Sequence, residues 1–153
     1  MPLPTITTAR TPRLALPYLF PGQAQKEAFV NEALTRLDAL VQAAVLDEIA
    51  APPANPVAGD CYIIANAASG AWAGHASELA VWAQDQWLFA APREGARVYD
   101  IARTCFAVFT IAEGWRRVDA PGLPSGGAVQ DTEARAAIAA ILRALCNTGT
   151  FSA

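Results

Sequence analysis

Histidine, clustered charge and long apolar runs are what this chain has least of, and each shortage removes a class of function. His75 is the only histidine. A Ser/His/Asp or Cys/His arrangement would have to form around that one residue, in a stretch that reads as a loop. Nothing beside Cys61 or Cys105 primes either as a thiolate, so a turn histidine bonded to the backbone is the plainer reading. Charged residues make up 16% of the chain, against about 25% in an average globular domain. The net charge is −3 and the arginines stand singly apart from Arg116-Arg117, so the basic footprint of a nucleic-acid binder is missing. The three cysteines, Cys61, Cys105 and Cys146, are odd in number and lack CxxC spacing. That excludes a disulfide framework or zinc ribbon and leaves small, reduced, buried apolar residues.

No apolar run reaches the roughly 18 residues that would suggest a membrane span. The Pro- and Thr-rich opening, Met1 to Arg13, has no apolar signal core, so synthesis and folding in a cytoplasm are expected. Ser69-Gly70 and Gly126-Gly127 lack the lysine and the strand–helix setting of a phosphate loop. The acidic residues fall at strand ends and turns, and Asp47 and Glu48, being adjacent, point apart. A glycosidase pair distant in sequence is left open, which keeps a glycan-degrading enzyme as a third reading. No catalytic residue, metal ligand or cofactor is assigned.

What is present is apolar. Hydrophobic residues are 54% of the 153, which suits one domain with helical appendages. A surface this short of charge favours assembly. The organising stretch is Leu16-Pro17-Tyr18-Leu19-Phe20-Pro21-Gly22-Gln23. Its prolines fix an extended approach to a helix expected from Gln23 to Leu46. Val30, Leu34, Leu37, Val41 and Ala44 fall at intervals of 4, 3, 4 and 3, an a/d seam. Phe29, Ala33 and Leu40 widen it, while Lys26, Glu27, Glu32, Arg36 and Asp38 lie elsewhere. Such a stripe must bury itself against something, and its residue types permit a trimer. Residues 1–13 read as an extended arm, either a frayed terminus or one that orders against a neighbouring subunit. Residues 14–50 read as an N-terminal helical oligomerisation segment, ended by Pro52, Pro53 and Pro56.

Residues 59–120 read as a Trp-rich antiparallel β domain. Cys61-Tyr62-Ile63-Ile64 has strong strand preference. Leu79 to Trp82, a polar turn, and Trp87 to Phe89 form one hairpin, echoed by Phe106 to Phe109, a turn, and Trp115 to Val118. Ala96 to Asp100 adds another strand. Residues 121–130 are a Gly/Pro linker, and 131–153 a C-terminal helix and tail. Asp131 caps that helix and Glu133 suits its first turn; Ile138, Ile141 and Leu145 continue an apolar stripe. The expected fold class is therefore α+β: an N-terminal amphipathic helix, a small antiparallel β module of five or six strands, and a short C-terminal amphipathic helix. The rings are expected to fill the sheet's core, with at least one turned outward. Trp72 and His75, in a Gly-rich loop, are the candidate glycan contacts.

The stretch from Leu14 to Gln42, LALPYLFPGQAQKEAFVNEALTRLDALVQ, carries a PGQAQKE-x3-NEAL-x2-LDALVQ string. It resembles the opening of a short domain-of-unknown-function family encoded in tailed phages, prophages and gene transfer agents of alphaproteobacteria. The likeness continues through Gly59-Asp60-Cys61-Tyr62, Gly70-Ala71-Trp72-Ala73-Gly74-His75, Ala80-Val81-Trp82 and Pro92-Arg93-Glu94-Gly95, covering roughly residues 13 to 118. Asp131 to Leu145 is similar to the helical segment that closes many phage fibre and spike proteins. The resemblance implies a non-enzymatic virion structural protein, a tail-fibre, tail-tip or spike subunit involved in assembly and host attachment. Implied partners are sister copies, a trimer first, then other tail, baseplate or capsid proteins and a host surface glycan. The expected oligomer interface is Val30, Leu34, Leu37, Val41, Ala44, Ile138, Ile141 and Leu145. The alternative is a carbohydrate-binding module for host surface polysaccharide.

Overall fold

The computed structural model describes residues 9–19, 26–128 and 130–152. The expected helix start at Gln23 and the first eight residues of the arm lie outside them. The first helix, α1 (Lys26–Leu40), is preceded by a turn-forming stretch in which Arg10 bridges Pro17. It stops because Arg13 crosses over its end. The Arg13 guanidinium donates to the carbonyls of Asp38 at 2.6 Å, Ala39 at 3.0 Å and Gln42 at 2.8 Å. Those carbonyls have no partner within a helix, and a cation there suits the helix dipole. Gln42 then turns left-handed, with φ of 49°.

Where a continuing helix was expected, the chain instead supplies two very short strands, β1 (Ala44–Val45) and β2 (Glu48–Ile49). The remaining strands are β3 (Cys61–Ile64), β4 (Leu79–Ala83), β5 (Gln86–Ala90), β6 (Arg97–Asp100), β7 (Cys105–Thr110) and β8 (Gly114–Arg116), followed by α2 (Thr132–Asn147). They form two four-stranded sheets, ordered β1-β6-β7-β8 and β2-β3-β4-β5. Residues 44–49 pass from one sheet into the other, so β1 runs parallel to β6 and β2 parallel to β3. The expected α+β class with five or six antiparallel strands is thereby corrected. The described chain is mostly β, with eight strands in two sheets, an interior first helix and a C-terminal helix. Two-residue strands show no alternation, which is why the apolar spacing of residues 41–45 read as helix.

The core lies between the sheets. Val45, Val98 and Ala107 from one meet Cys61, Ile63, Leu79 and Val81 from the other, with Ala39 and Ala43 closing one side. The β4–β5 hairpin turns through Gln84 and Asp85, both at positive φ (52° and 59°), the geometry that matches strand twist in a two-residue loop. Its back face is covered by the loop before β4, which drops Trp72 onto Ile64 and Ala80.

Candidate functional site

α1 turns Asn31, Thr35 and Asp38 inward, while Glu32 and Arg36 pair with each other in solvent. Asn31, Thr35 and Asp38, at steps of four and three, share one helical face, and residues 9–19 lie along it. Asn31 exchanges two hydrogen bonds with the Leu19 backbone, at 2.8 and 3.0 Å. Thr35 Oγ1 lies 2.8 Å from the Tyr18 hydroxyl. The buried Asp38 carboxylate accepts from Thr11 Oγ1 at 2.6 Å, from Arg13 N at 3.0 Å and from Leu14 N. Three donors compensate a carboxylate that burial would otherwise penalise heavily. The described part of the arm is thus clasped to its own helix.

The opposite face of α1 is open and mainly apolar, edged by the exposed Glu32–Arg36 pair. Phe29 is 78% exposed and Leu37 52%, and Val30, Leu40 and Val41 are also exposed. Of the expected seam, Val30, Leu34 and Leu37 lie on the helix, with Leu34 half-buried. Val41 falls in the turn beyond it. Ala44 is in β1, paired with Tyr99, and so leaves the seam. The centre of the open stripe is Phe29, Ala33, Leu37 and Leu40. At 15 residues the helix is too short to form a lasting coiled coil alone.

α2 is capped by Asp131, whose carboxylate accepts from Ala134 N at 2.8 Å. None of its residues is buried. Ile138 and Ile141 are exposed, Leu145 half-buried. A groove of about 430 Å³ separates it from the linker at Pro121 and Leu123, with Cys146 in its wall.

The two expected glycan contacts have separate fates. Trp72 is 0% exposed and meets Trp87 edge-on at 5.0 Å and Tyr62 at 5.8 Å. A ring enclosed in this way has no face to stack on a sugar, so that assignment is corrected. His75 is half-buried, lies parallel to Phe89 at 3.7 Å and places Nδ1 3.0 Å from Glu78 Oε2. Trp82 and Trp87 are direct cross-strand partners and so share one face, both half-buried.

One cluster escaped sequence reasoning because its members are far apart in the chain. Asp100, 0% exposed, faces Arg103 Nη1 at 2.9 Å and Arg117 Nε at 2.6 Å. Arg117 Nη2 is also 2.6 Å from that carboxylate, though its hydrogens are not aligned on it. Arg103 reaches on to Asp47 at 3.0 Å and Arg117 to Glu48 at 2.7 Å. Burial works to lower the Arg103 pKa, but hydrogen bonds to Asp100 and Asp47 outweigh it and raise it. Asp47 and Glu48 sit on the segment joining the sheets, so this cluster locks that crossing. Its carboxylates are held by cations, which suits a strut better than a proton shuttle. Burial pushes the Cys61 thiol up to about 12 and also raises Cys105, so neither is a thiolate at neutral pH.

Among the described residues no group of His, Cys, Asp or Glu is placed to hold a metal ion. None of the described helices is long and apolar enough to cross a membrane. A family model described as a protein of unknown function, DUF2793, matches residues 30–116. This chain belongs to that family. The match starts within α1 and ends at β8, so the family's domain takes in both sheets and the clasping residues Asn31, Thr35 and Asp38, and leaves out α2. No curated protein matches the chain. Membership assigns no activity.

Proposed function

We propose that this DUF2793 chain is a non-enzymatic structural subunit of a tailed-phage or gene-transfer-agent particle. It assembles with copies of itself, as a trimer, and takes part in host attachment as a tail-fibre, tail-tip or spike component. The observation that carries the reading is the inverted helix. α1 spends Asn31, Thr35 and Asp38 on its own chain and presents Phe29, Ala33, Leu37 and Leu40 outward. An exposed apolar stripe of that length is an interaction site by default. A second copy, which brings the same apolar stripe, is the occupant we assign to it. The exposed Ile138 and Ile141 of α2 add a second unpartnered face. The particle setting rests on the resemblance of the Leu14-to-Gln42 string and of the C-terminal helix to phage and fibre sequences.

Light scattering on the purified chain tests the assembly, with three times the monomer mass as the expected result. Mass spectrometry and imaging of particles from a strain carrying the gene test the setting. A monodisperse monomer at micromolar concentration removes the first part; particles that lack the chain remove the second.

A further inference from the structure

The outer face of β6-β7-β8, turned away from the core, is a further open surface. Arg97, Val108 and Arg116 are side-by-side partners across the three strands, and by alternation Tyr99, Phe106 and Thr110 share their face. A groove of about 330 Å³ runs among them, bordered by Val118 and Thr150. Two neighbouring grooves, of about 350 and 300 Å³, also have Arg97 in their walls, and one of them reaches Arg93. The three grooves are lined by three arginines and by no aspartate or glutamate, in a chain whose net charge is −3.

Arg97 is posed rather than paired. Its guanidinium carbon lies 3.6 Å from the centre of the Phe106 ring, and among the described residues none of its side-chain N–H groups meets an acceptor. The ring steadies the planar cation and leaves its edge donors free for a planar anion. Phe106 is fixed in turn: its N–H donates to Gly149 O at 2.7 Å, and Tyr99 meets its ring edge-on at 5.2 Å. Gly149 packs so closely that an added Cβ would come within 3.3 Å of the Phe106 ring. Arg116 is paired with Glu113 at 2.7 Å, with both side chains more than half exposed. A surface pair of this kind contributes little and yields readily to a competing carboxylate.

We infer that this face binds a carboxylate-bearing polysaccharide. Arg97, held by Phe106, and Arg116 take its acid groups, and Val108 and Val118 lie against sugar-ring faces. The inference rests on the attachment reading above and supplies the chemical class of the receptor. A guanidinium grips a carboxylate through two parallel hydrogen bonds. Grooves of this volume lie near the lower end of the roughly 300–1,000 Å³ range of small-ligand sites, so each suits a sugar unit or two. A row of grooves sharing Arg97 suits a linear chain with acid groups repeated along it. An acidic folded protein calls for a broader continuous patch.

Isothermal titration of the full chain with tetragalacturonate and with a hyaluronan tetrasaccharide tests this, with maltotetraose as the neutral comparison and hexaglutamate as the acidic peptide. At least one of the two carboxylated glycans binds, more weakly as salt is raised, and maltotetraose does not. Arg97→Gln and Arg116→Gln each weaken that binding roughly tenfold or more. Arg97→Lys restores only part of it, because a point charge replaces the fork. Both arginines are exposed, and circular dichroism checks that the variants keep their fold. Failure of both glycans to bind at millimolar concentration overturns the inference, as does equal binding by the arginine variants. Hexaglutamate binding as well as the glycans assigns the face to an acidic protein and overturns it too. Light scattering on the same samples separates this from assembly. An oligomer that ignores both glycans refutes the groove alone, and a monomer that binds one refutes the oligomer alone.

Discussion

Replacing Leu37 by aspartate distinguishes a stripe that meets other copies from one that faces water. Leu37 is 52% exposed, so in an isolated chain the loss of its covered half forfeits about 1 kcal/mol of transfer free energy. Aspartate adds about 0.5 kcal/mol through lower helix propensity. A negative charge in the last turn of α1 adds about 0.3–1 kcal/mol more. The monomer therefore loses about 2 kcal/mol, a drop of roughly 4–8 °C in melting temperature for a domain of this size. Within an assembly the exposed half is buried as well, and an unpaired carboxylate would be set among Phe29, Ala33 and Leu40 of neighbouring copies. That costs at least about 3 kcal/mol per contact, which weakens association by roughly a hundredfold or more. Sedimentation velocity across the micromolar range, beside a thermal melt, reads both quantities. Leu37→Asp should run as a folded monomer where the parent runs as an oligomer. Ile111→Lys, an equally drastic change at a turn residue 79% exposed, should leave assembly untouched. A parent already monomeric, or a Leu37→Asp variant still associated, refutes the reasoning.

Asp38→Ala should destabilise the chain by about 3 kcal/mol, because a buried hydroxyl and two backbone N–H groups lose a charged acceptor; chemical denaturation measures it, and a loss below about 1 kcal/mol would contradict the clasp. Limited proteolysis of the same variant should cut within residues 9–19 well before the parent is cut there. Trp72→Ala should cost about 3–5 kcal/mol. Trp72→Phe should cost less than half of that, since the buried indole N–H has no acceptor among the described residues and its removal forfeits no hydrogen bond. Stability should also fall in alkali. The Cys61 thiol is raised to about 12 in the folded chain, so its contribution is complete below the unfolded value near 9 and is lost as pH rises from there towards 12. The slope is about 1.4 kcal/mol per pH unit, and a Cys61→Ala variant should show a shallower decline.

Local signals read well where they were long enough to be periodic. Asp131 marked the start of α2, and both Trp-led echoes are hairpins. What was illegible depends on partners distant in the chain. Nothing local marks Ala44–Val45 and Glu48–Ile49 as strands, because their pairing is set by β6 and β3. Trp72 read as a loop residue and therefore as accessible. Its burial follows from the back face of β3 and β4, which needs a cover that the loop itself supplies. The grooves around Arg97 carry no motif, since Arg97 and Arg116 become neighbours only once β7 lies between them. Asp38 offered the most telling signal. An acid one residue after Leu37 in an apolar helix implies a partner, and Thr11 and Arg13 had already passed.

That acid also explains why the helix faces the way it does. A 15-residue helix is marginal alone and needs tertiary support, which a globular protein usually supplies by burying the apolar stripe. Here Asn31, Thr35 and Asp38 each engage a particular atom of residues 11–19, and Arg13 holds the helix end. Directional bonds of this kind fix the rotation of α1 about its axis, which an apolar contact leaves looser. The helix is thereby locked with Leu37 and Phe29 outward. In a chain that stays alone, exchanging Phe29, 78% exposed, for lysine would improve solubility at little cost in stability. Rotational locking of an apolar stripe has a use when a second surface must be met in one register. Copies of the same chain bring that surface with them.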